Sequence, residues 1–287
     1  EGQYPTPPQA AKIKFCGGES MSVISDILAL PNDSKKKTYI VAFVLCLICS
    51  IAVSSAAVML KPVQDKNKQL DKQRNIVAIG NLAQEGMSVD QAFAQVEAKV
   101  VDLQTGEYVD DVDVKTFDAR AAAVDPKQNL VLSKEQDLAS IKRRAKYATV
   151  YLVKDQQGQL QKVILPISGY GLWSTLYGFL ALQGDVNTII GLGFYEHAET
   201  PGLGGEVDNP DWKAQWVGKK AFDDQGNIAI RITKSPVAET DPRAVYDIDA
   251  LSGATLTSNG VNNAVHFWLG PDGFGPYLQK LRQGGGA

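Results

Sequence analysis

Hydrophobic and polar positions change rhythm twice along the chain. From Thr38 to Leu60 the run TYIVAFVLCLICSIAVSSAAVML carries no charge. As a helix rising about 1.5 Å per residue it spans roughly 34 Å, enough for a hydrocarbon core of about 30 Å. A soluble core helix of that length would show a polar face. A cleaved signal peptide has a shorter apolar region, about 7–15 residues, so an uncleaved signal anchor fits better despite the small residues Ser54, Ser55, Ala56 and Ala57. Lys35, Lys36 and Lys37 abut the run on its N-terminal side, which favours a cytoplasmic N-terminus, whereas Lys61, Lys66, Lys68, Lys72 and Arg74 follow it. The immediate flank favours N-in, and the wider window does not decide. Ahead of the run, EGQYPTPPQAAKIKFCGGES is Pro- and Gly-rich and reads as a loose tail, with Met21 as a candidate natural start.

Beyond Leu60 the pattern turns polar. Lys61 to Asn81, with scattered Leu70, Ile76, Val77 and Ile79, reads as a stalk that continues the helix. Ser88 with Gln91 three residues on forms a capping-box pair, followed by an apolar stripe of Val89, Phe93 and Val96. Two hairpin-like units come next: ATVYLVKD, QQGQ, LQKVILPI, and then TLYGFLALQ, GDVN, TIIGLGFYEH. Each sets β-rich runs around a Gly-containing turn. NIAIRITK predicts a further strand. Pro210 suits the first position of a short helix, and helices are expected over Ser258–Leu269 and Pro276–Arg282. Strands and helices fall in runs rather than strict alternation, so the fold class is α+β, with one N-terminal transmembrane helix. The expected organisation is a tail over 1–34, a transmembrane helix with its flank over 35–61, a stalk over 62–87 and a mixed domain with antiparallel hairpins over 88–287.

Composition narrows the chemistry. A formal net charge of -3 gives no basic surface for nucleic acid. The three cysteines, Cys16, Cys46 and Cys49, all precede the large C-terminal region, which therefore holds neither a disulfide nor a thiolate metal site. Two histidines are too few for a histidine-rich metal site, and no metal ligand set is assigned. Cys46 and Cys49 share one helix face and read as packing residues. No Ser–His–Asp, Cys–His or paired-carboxylate set argues for hydrolysis, and no dinucleotide fingerprint follows a strand. Redox chemistry in this region would have to come from a bound organic cofactor.

Three strings carry candidate chemistry. In Asp249-Ala-Leu-Ser252-Gly253-Ala254-Thr255-Leu256-Thr257-Ser258, the plain reading is a helix start capped by Thr257 or Ser258. That reading leaves Ser252-Gly253-Ala254 unexplained, a stretch stripped of side-chain bulk just ahead of Thr255. A helix beginning there would point free N–H groups and a positive dipole end at a phosphate. His197-Ala-Glu199-Thr200-Pro-Gly202-Leu203-Gly-Gly-Glu206 reads most simply as a Pro-Gly turn. Gly169-Tyr170-Gly171-Leu172-Trp173-Ser174 reads as a loop leading into a strand, with Trp173 either in the core or flanking a planar ring.

The first string resembles the flavinylation motif Asp-x-x-Ser/Thr-Gly-Ala-Thr, whose last threonine receives FMN through a phosphoester bond made by a dedicated Mg-dependent flavin transferase. Glu-Thr-Pro-Gly-Leu-Gly likewise resembles a segment of flavin-bearing subunits. With the apolar anchor, the resemblance runs over roughly residues 35 to 282 and identifies the chain as similar to the family of covalent-FMN subunits of the sodium-translocating NADH:quinone reductase. The related Rnf-type family is the nearest alternative, and Asn209-Pro210-Asp211-Trp212 through Trp216-Val217-Gly218-Lys219 favours the former. A non-redox, membrane-anchored interaction module is the alternative of a different class.

The resemblance implies FMN on Thr255, with Asp249 in the transferase's recognition sequence. It implies cofactor contacts from Gly169, Gly171, Leu172, Trp173, Ser174, Glu199, Thr200, Gly202, Leu203, Ser252, Gly253, Ala254, Leu256 and Thr257. Lys234, at the end of NIAIRITK, is either a counter-charge for the phosphate or an exposed lysine. The expected partners are the other subunits of the reductase, which would bind NADH, reduce ubiquinone and move sodium. The expected location is a bacterial inner membrane, with the C-terminal domain in the periplasm. The apolar run has no ionisable group to bind sodium, so no ion path is assigned to it.

Overall fold

The structure is a computed structural model that describes residues 29, 31, 34–83, 86–234 and 240–284. It divides into two compact units, residues 1–66 and 67–287. The tail expected over 1–34, with Met21, lies outside the described residues apart from Ala29, Pro31 and Ser34. Helix α1, Lys35–Ile79, contains the whole apolar run and continues without a break through the polar stretch after it. It is long and apolar enough to cross a membrane.

In the second unit, Ile76 and Val77 near the end of α1 are buried. Helix α2 (Val89–Phe93) starts at the expected capping box, where Ser88 Oγ accepts the Gln91 N–H at 3.3 Å and Gln91 Oε1 accepts the Ser88 N–H at 2.9 Å. There follow β1 (Glu97–Asp102), α3 (Ala119–Val124), β2 (Asn129–Val131), β3 (Arg143–Ala145), β4 (Tyr147–Lys154), β5 (Leu160–Tyr170), β6 (Thr175–Gln183) and β7 (Ile189–Glu196). Helix α4 (Pro210–Ala214), β8 (Arg231–Thr233), β9 (Asp247–Asp249), α5 (Thr255–Leu269) and α6 (Gly275–Arg282) complete the chain.

The main sheet is antiparallel, in the order β1-β4-β5-β6-β7. The two expected hairpins are joined by a third, β5–β6, whose tip is Gly171–Ser174, so that four consecutive strands form a meander. Successive side chains in a strand point to opposite faces. Hence Tyr151, Val153, Ile164, Phe179 and Ala181 form one core with Ile76 and Val77. Their neighbours Leu152, Val163, Leu165, Leu180 and Leu182 form the other, with Val261, Val265 and Trp268 of α5.

Two expectations needed correction, and several short elements were not foreseen. NIAIRITK does not make one strand. Ala229 and Ile230 donate their N–H groups back to the Ala221 carbonyl, and only Arg231–Thr233 continues as β8, parallel to β9 in a separate two-stranded sheet. The short, charged β1 and the three-residue β2, β3 and β9 had no legible alternation, and α3 was also unanticipated. Helix α5 begins at Thr255 rather than Ser258. The hydroxyls of Thr257 and Ser258 are spent elsewhere and do not cap it, so the helix starts on Ala254, with no side-chain cap.

Candidate functional site

The three strings meet at one carboxylate. Glu199 follows β7 and is 5% exposed. Its Oε1 accepts the main-chain N–H groups of Leu172, Trp173 and Ser174 at 3.1, 3.0 and 3.4 Å. Its Oε2 accepts the Thr257 hydroxyl at 2.6 Å and lies 3.2 Å from the Leu172 nitrogen. The link is reinforced by Ser174 Oγ, which accepts the Ala198 N–H at 2.8 Å. One side chain therefore fastens the β5–β6 tip and the first turn of α5 to the segment after β7. Burial by itself pushes the Glu199 carboxyl up, but the Thr257 hydroxyl and the Trp173, Leu172 and Ser174 N–H groups outweigh it and hold it below the usual carboxylate range.

The glycines of these strings make room for that link. A Cβ on Gly204 would stand 2.5 Å from Thr257 Oγ1 and 2.7 Å from Glu199 Oε2, and one on Gly171 would stand 2.5 Å from Glu199 Oε1. Gly169, the penultimate residue of β5, packs against Ala264 of α5, and Trp268 Nε1 donates to the Ser168 carbonyl at 2.7 Å. The Thr200 carbonyl accepts the N–H groups of Leu203 and Gly205, which closes the Pro-Gly turn with Gly202 at φ +75.

Exposed apolar side chains stand near Thr255. Thr255 is the first residue of a 15-residue helix and is exposed, whereas Thr257 is 0% exposed. Leu256 is 59% exposed and Trp173 is 64% exposed, with Leu172 and Leu203 also open to solvent. Ser252 and Gly253 are exposed, Ala254 is buried, and Gly253 has φ +71, with Leu203 Cδ2 3.2 Å from where a Cβ would stand. Ser258 Oγ accepts the Leu251 N–H at 3.0 Å and donates to the Ala254 carbonyl at 3.1 Å, which fixes the loop leading into the helix. The first N–H groups of α5 precede its earliest backbone bond, Ser258 to Ala254, and stand at the positive end of the helix.

Asp249 is held by its main chain. Trp212 Nε1 donates to its carbonyl at 2.8 Å, and Gln215 Oε1 accepts its N–H at 2.9 Å. Neither Trp212 nor Gln215 stood among the expected site residues. The Asn209-Pro210 helix start was the available signal, since it puts both side chains on a single short helical segment next to β9. Lys234 is exposed and follows Thr233, which pairs with Asp249 and accepts the Ala250 N–H at 2.8 Å. The fold therefore sets Lys234 beside the start of the first string.

The FMN-binding domain family matches residues 171–270, a span that opens at the hairpin tip and ends just past α5. The chain is 54% identical over 257 residues to the NqrC subunit of the Na(+)-translocating NADH-quinone reductase of Pseudomonas aeruginosa, with 88% of this chain and 98% of that one covered. It is 51% identical to the NqrC subunit of Yersinia pestis, over 88% of this chain and 95% of the other. Among solved structures, NqrC of Shewanella oneidensis superposes with a TM-score of 0.69 at 39% identity, over 77% of this chain and 99% of its own. NqrC of Parabacteroides distasonis superposes at 0.56 with 28% identity, over 76% and 96%. With more than half of its aligned residues shared across nearly the full length of one such protein, the chain belongs to the NqrC family, a subunit family of the Na(+)-translocating NADH-quinone reductase.

Proposed function

We propose that this chain carries FMN through a phosphoester bond to the Thr255 hydroxyl and serves as an electron relay within the reductase, whose other subunits link the flow to sodium export. The observation that carries the reading is the contrast within one turn of α5. Thr255 Oγ1 belongs to an exposed residue at an uncapped helix start, while Thr257 is sealed inside and spends its hydroxyl on Glu199.

The residues around Thr255 fit the cofactor. The leading N–H groups and dipole of α5 suit a phosphate diester. Ser252 and Gly253 leave space beside the attachment point, and Ala254 adds only a methyl group. Leu172, Trp173, Leu203 and Leu256 offer apolar surface that would shield a flat ring from water. Lys234 supplies a cation just past the end of β8, whose Thr233 pairs with Asp249, and is suited to balancing the remaining phosphate charge. When bound, the flavin supplies one-electron transfer, which no side chain of this domain provides. A covalent tether keeps the cofactor on a domain outside the cytoplasm, where the internal flavin pool cannot replace it.

The same reading gives the chain a flavin transferase as partner during maturation, with Asp249 in the recognised sequence, and the remaining reductase subunits as lasting partners. Helix α1 is the membrane anchor of an inner-membrane protein, with Lys35–Lys37 cytoplasmic and the second unit periplasmic.

The test is a denaturing gel of the full chain made with and without the transferase. A fluorescent band at the chain's mass is expected only with the transferase, and Thr255→Ala is expected to abolish it completely. Peptide mass mapping should place the added mass on the peptide containing Thr255. A band that persists in Thr255→Ala would remove the assignment.

A further inference from the structure

Glu199 lies in a string expected to touch the cofactor, yet both of its oxygens are engaged by the protein itself. Three of its four donors are backbone N–H groups, and the fourth is a buried hydroxyl. Among the described residues no lysine, arginine or histidine forms an ion pair with it. Its charge is thus stabilised by fixed dipoles and not cancelled by a counter-ion. Such a charge keeps its field in a poorly screened interior.

We propose that Glu199 is a positioning residue for the flavin, binding the Trp173 hairpin tip to the helix that bears Thr255, and that its uncompensated negative charge lowers the flavin's reduction potential from beneath the site. The inference rests on the flavin reading of Thr255. Reduction adds negative charge to the ring system, so a nearby fixed anion disfavours the reduced form and a neutral replacement favours it. The carboxyl is held below its usual range by its donors, which keeps it ionised at neutral pH. The link also sets the ring's surroundings, since Leu172 and Trp173 present their side chains from the very residues whose N–H groups Glu199 holds.

Glu199→Gln separates charge from shape. The carboxamide oxygen can accept the N–H groups now held by Oε1, and its NH2 can donate to Thr257 Oγ1, so the tie to both segments survives without the charge, at the loss of the longer Leu172 N–H contact to Oε2. Thr257→Val does the opposite, because it keeps the volume and the charge but removes the hydroxyl donor.

The experiment uses the full chain, made with a flavin transferase and kept in detergent. Covalent loading is checked by in-gel fluorescence, the midpoint potential by spectroelectrochemical titration, and the ring's surroundings by visible circular dichroism. Glu199→Gln is expected to load normally and to titrate at a higher potential than the unaltered chain. Thr257→Val is expected to keep the potential close to that of the unaltered chain while changing the visible dichroism. Equal potentials in loaded Glu199→Gln and the unaltered chain would overturn the charge effect. Unchanged dichroism in Thr257→Val would overturn the positioning, and this holds even where Glu199→Gln fails to accumulate. An unaltered chain with no covalent flavin would overturn the flavin reading itself, a failure distinct from the other two.

Discussion

The two ends of the central sheet satisfy their turns in different ways. At one end, Asp155 accepts the N–H groups of Gln157 and Gln159, and Asp185 accepts those of Asn187 and Thr188. Each of these turns is closed by a residue of its own loop. At the other end, the N–H groups of Leu172, Trp173 and Ser174 are taken by Glu199, which lies 25 to 27 residues further along the chain. A turn closed from within is held by its own few residues, even where, as at Asn187, it also bonds a distant partner in Phe222. A turn closed from a distance exists only when the whole domain has folded around it, so it can be aimed at something.

That contrast can be tested by substitution. The largest loss is expected for Glu199→Ala, which strands three part-buried N–H groups and the buried Thr257 hydroxyl. At about 1–3 kcal/mol for each stranded partner, the domain should lose more than about 3 kcal/mol, read by urea unfolding of the full chain in detergent with tryptophan emission as the signal. Gly204→Ala comes next. Its Cβ would press on Thr257 Oγ1 and Glu199 Oε2, and about 1–3 kcal/mol is expected in the same assay. Asp155→Ala disturbs only a local turn, so about 1 kcal/mol is expected, with covalent flavin loading unchanged. A loss from Asp155→Ala as large as that from Glu199→Ala would erase the distinction between the two ends.

The smallest effect concerns pH. The folded Glu199 carboxyl titrates below its ordinary value of 4.5. Its contribution is therefore fully present above that value and is lost as pH falls through the folded pKa. The stability difference between the unaltered chain and Glu199→Gln should stay flat from neutral pH to about 5 and then shift against the unaltered chain in more acidic solution. A difference that changed between pH 6 and 8 instead would mean that the carboxyl is not held ionised by its donors.

Legibility in the sequence followed the range of the forces involved. The long apolar helix, the Ser88–Gln91 cap and strands β4 to β7 are set by neighbours a few residues apart, and the alternation of Val163, Ile164 and Leu165 across two cores follows from the strand period. The short β1, β2, β3 and β9 carry too few residues to show a period and are held by partners far along the chain. The three motif strings were legible as strings, and the resemblance suggested their common purpose. What no local pattern could show is that Glu199 turns inward while Thr255 turns outward, or that Trp212 and Gln215 grip Asp249 by its main chain. Those are tertiary facts, decided by which residues the meander and α5 bring together.

The seating of Thr255 bears on how such a protein is made. The Glu199 carboxylate is satisfied by protein atoms, and Thr255 stands exposed at the helix start that this carboxylate secures. If Thr255 takes the flavin as proposed, assembly of the domain and installation of its pigment are separable steps. A cell could hold finished, colourless domains in reserve and activate them as flavin becomes plentiful.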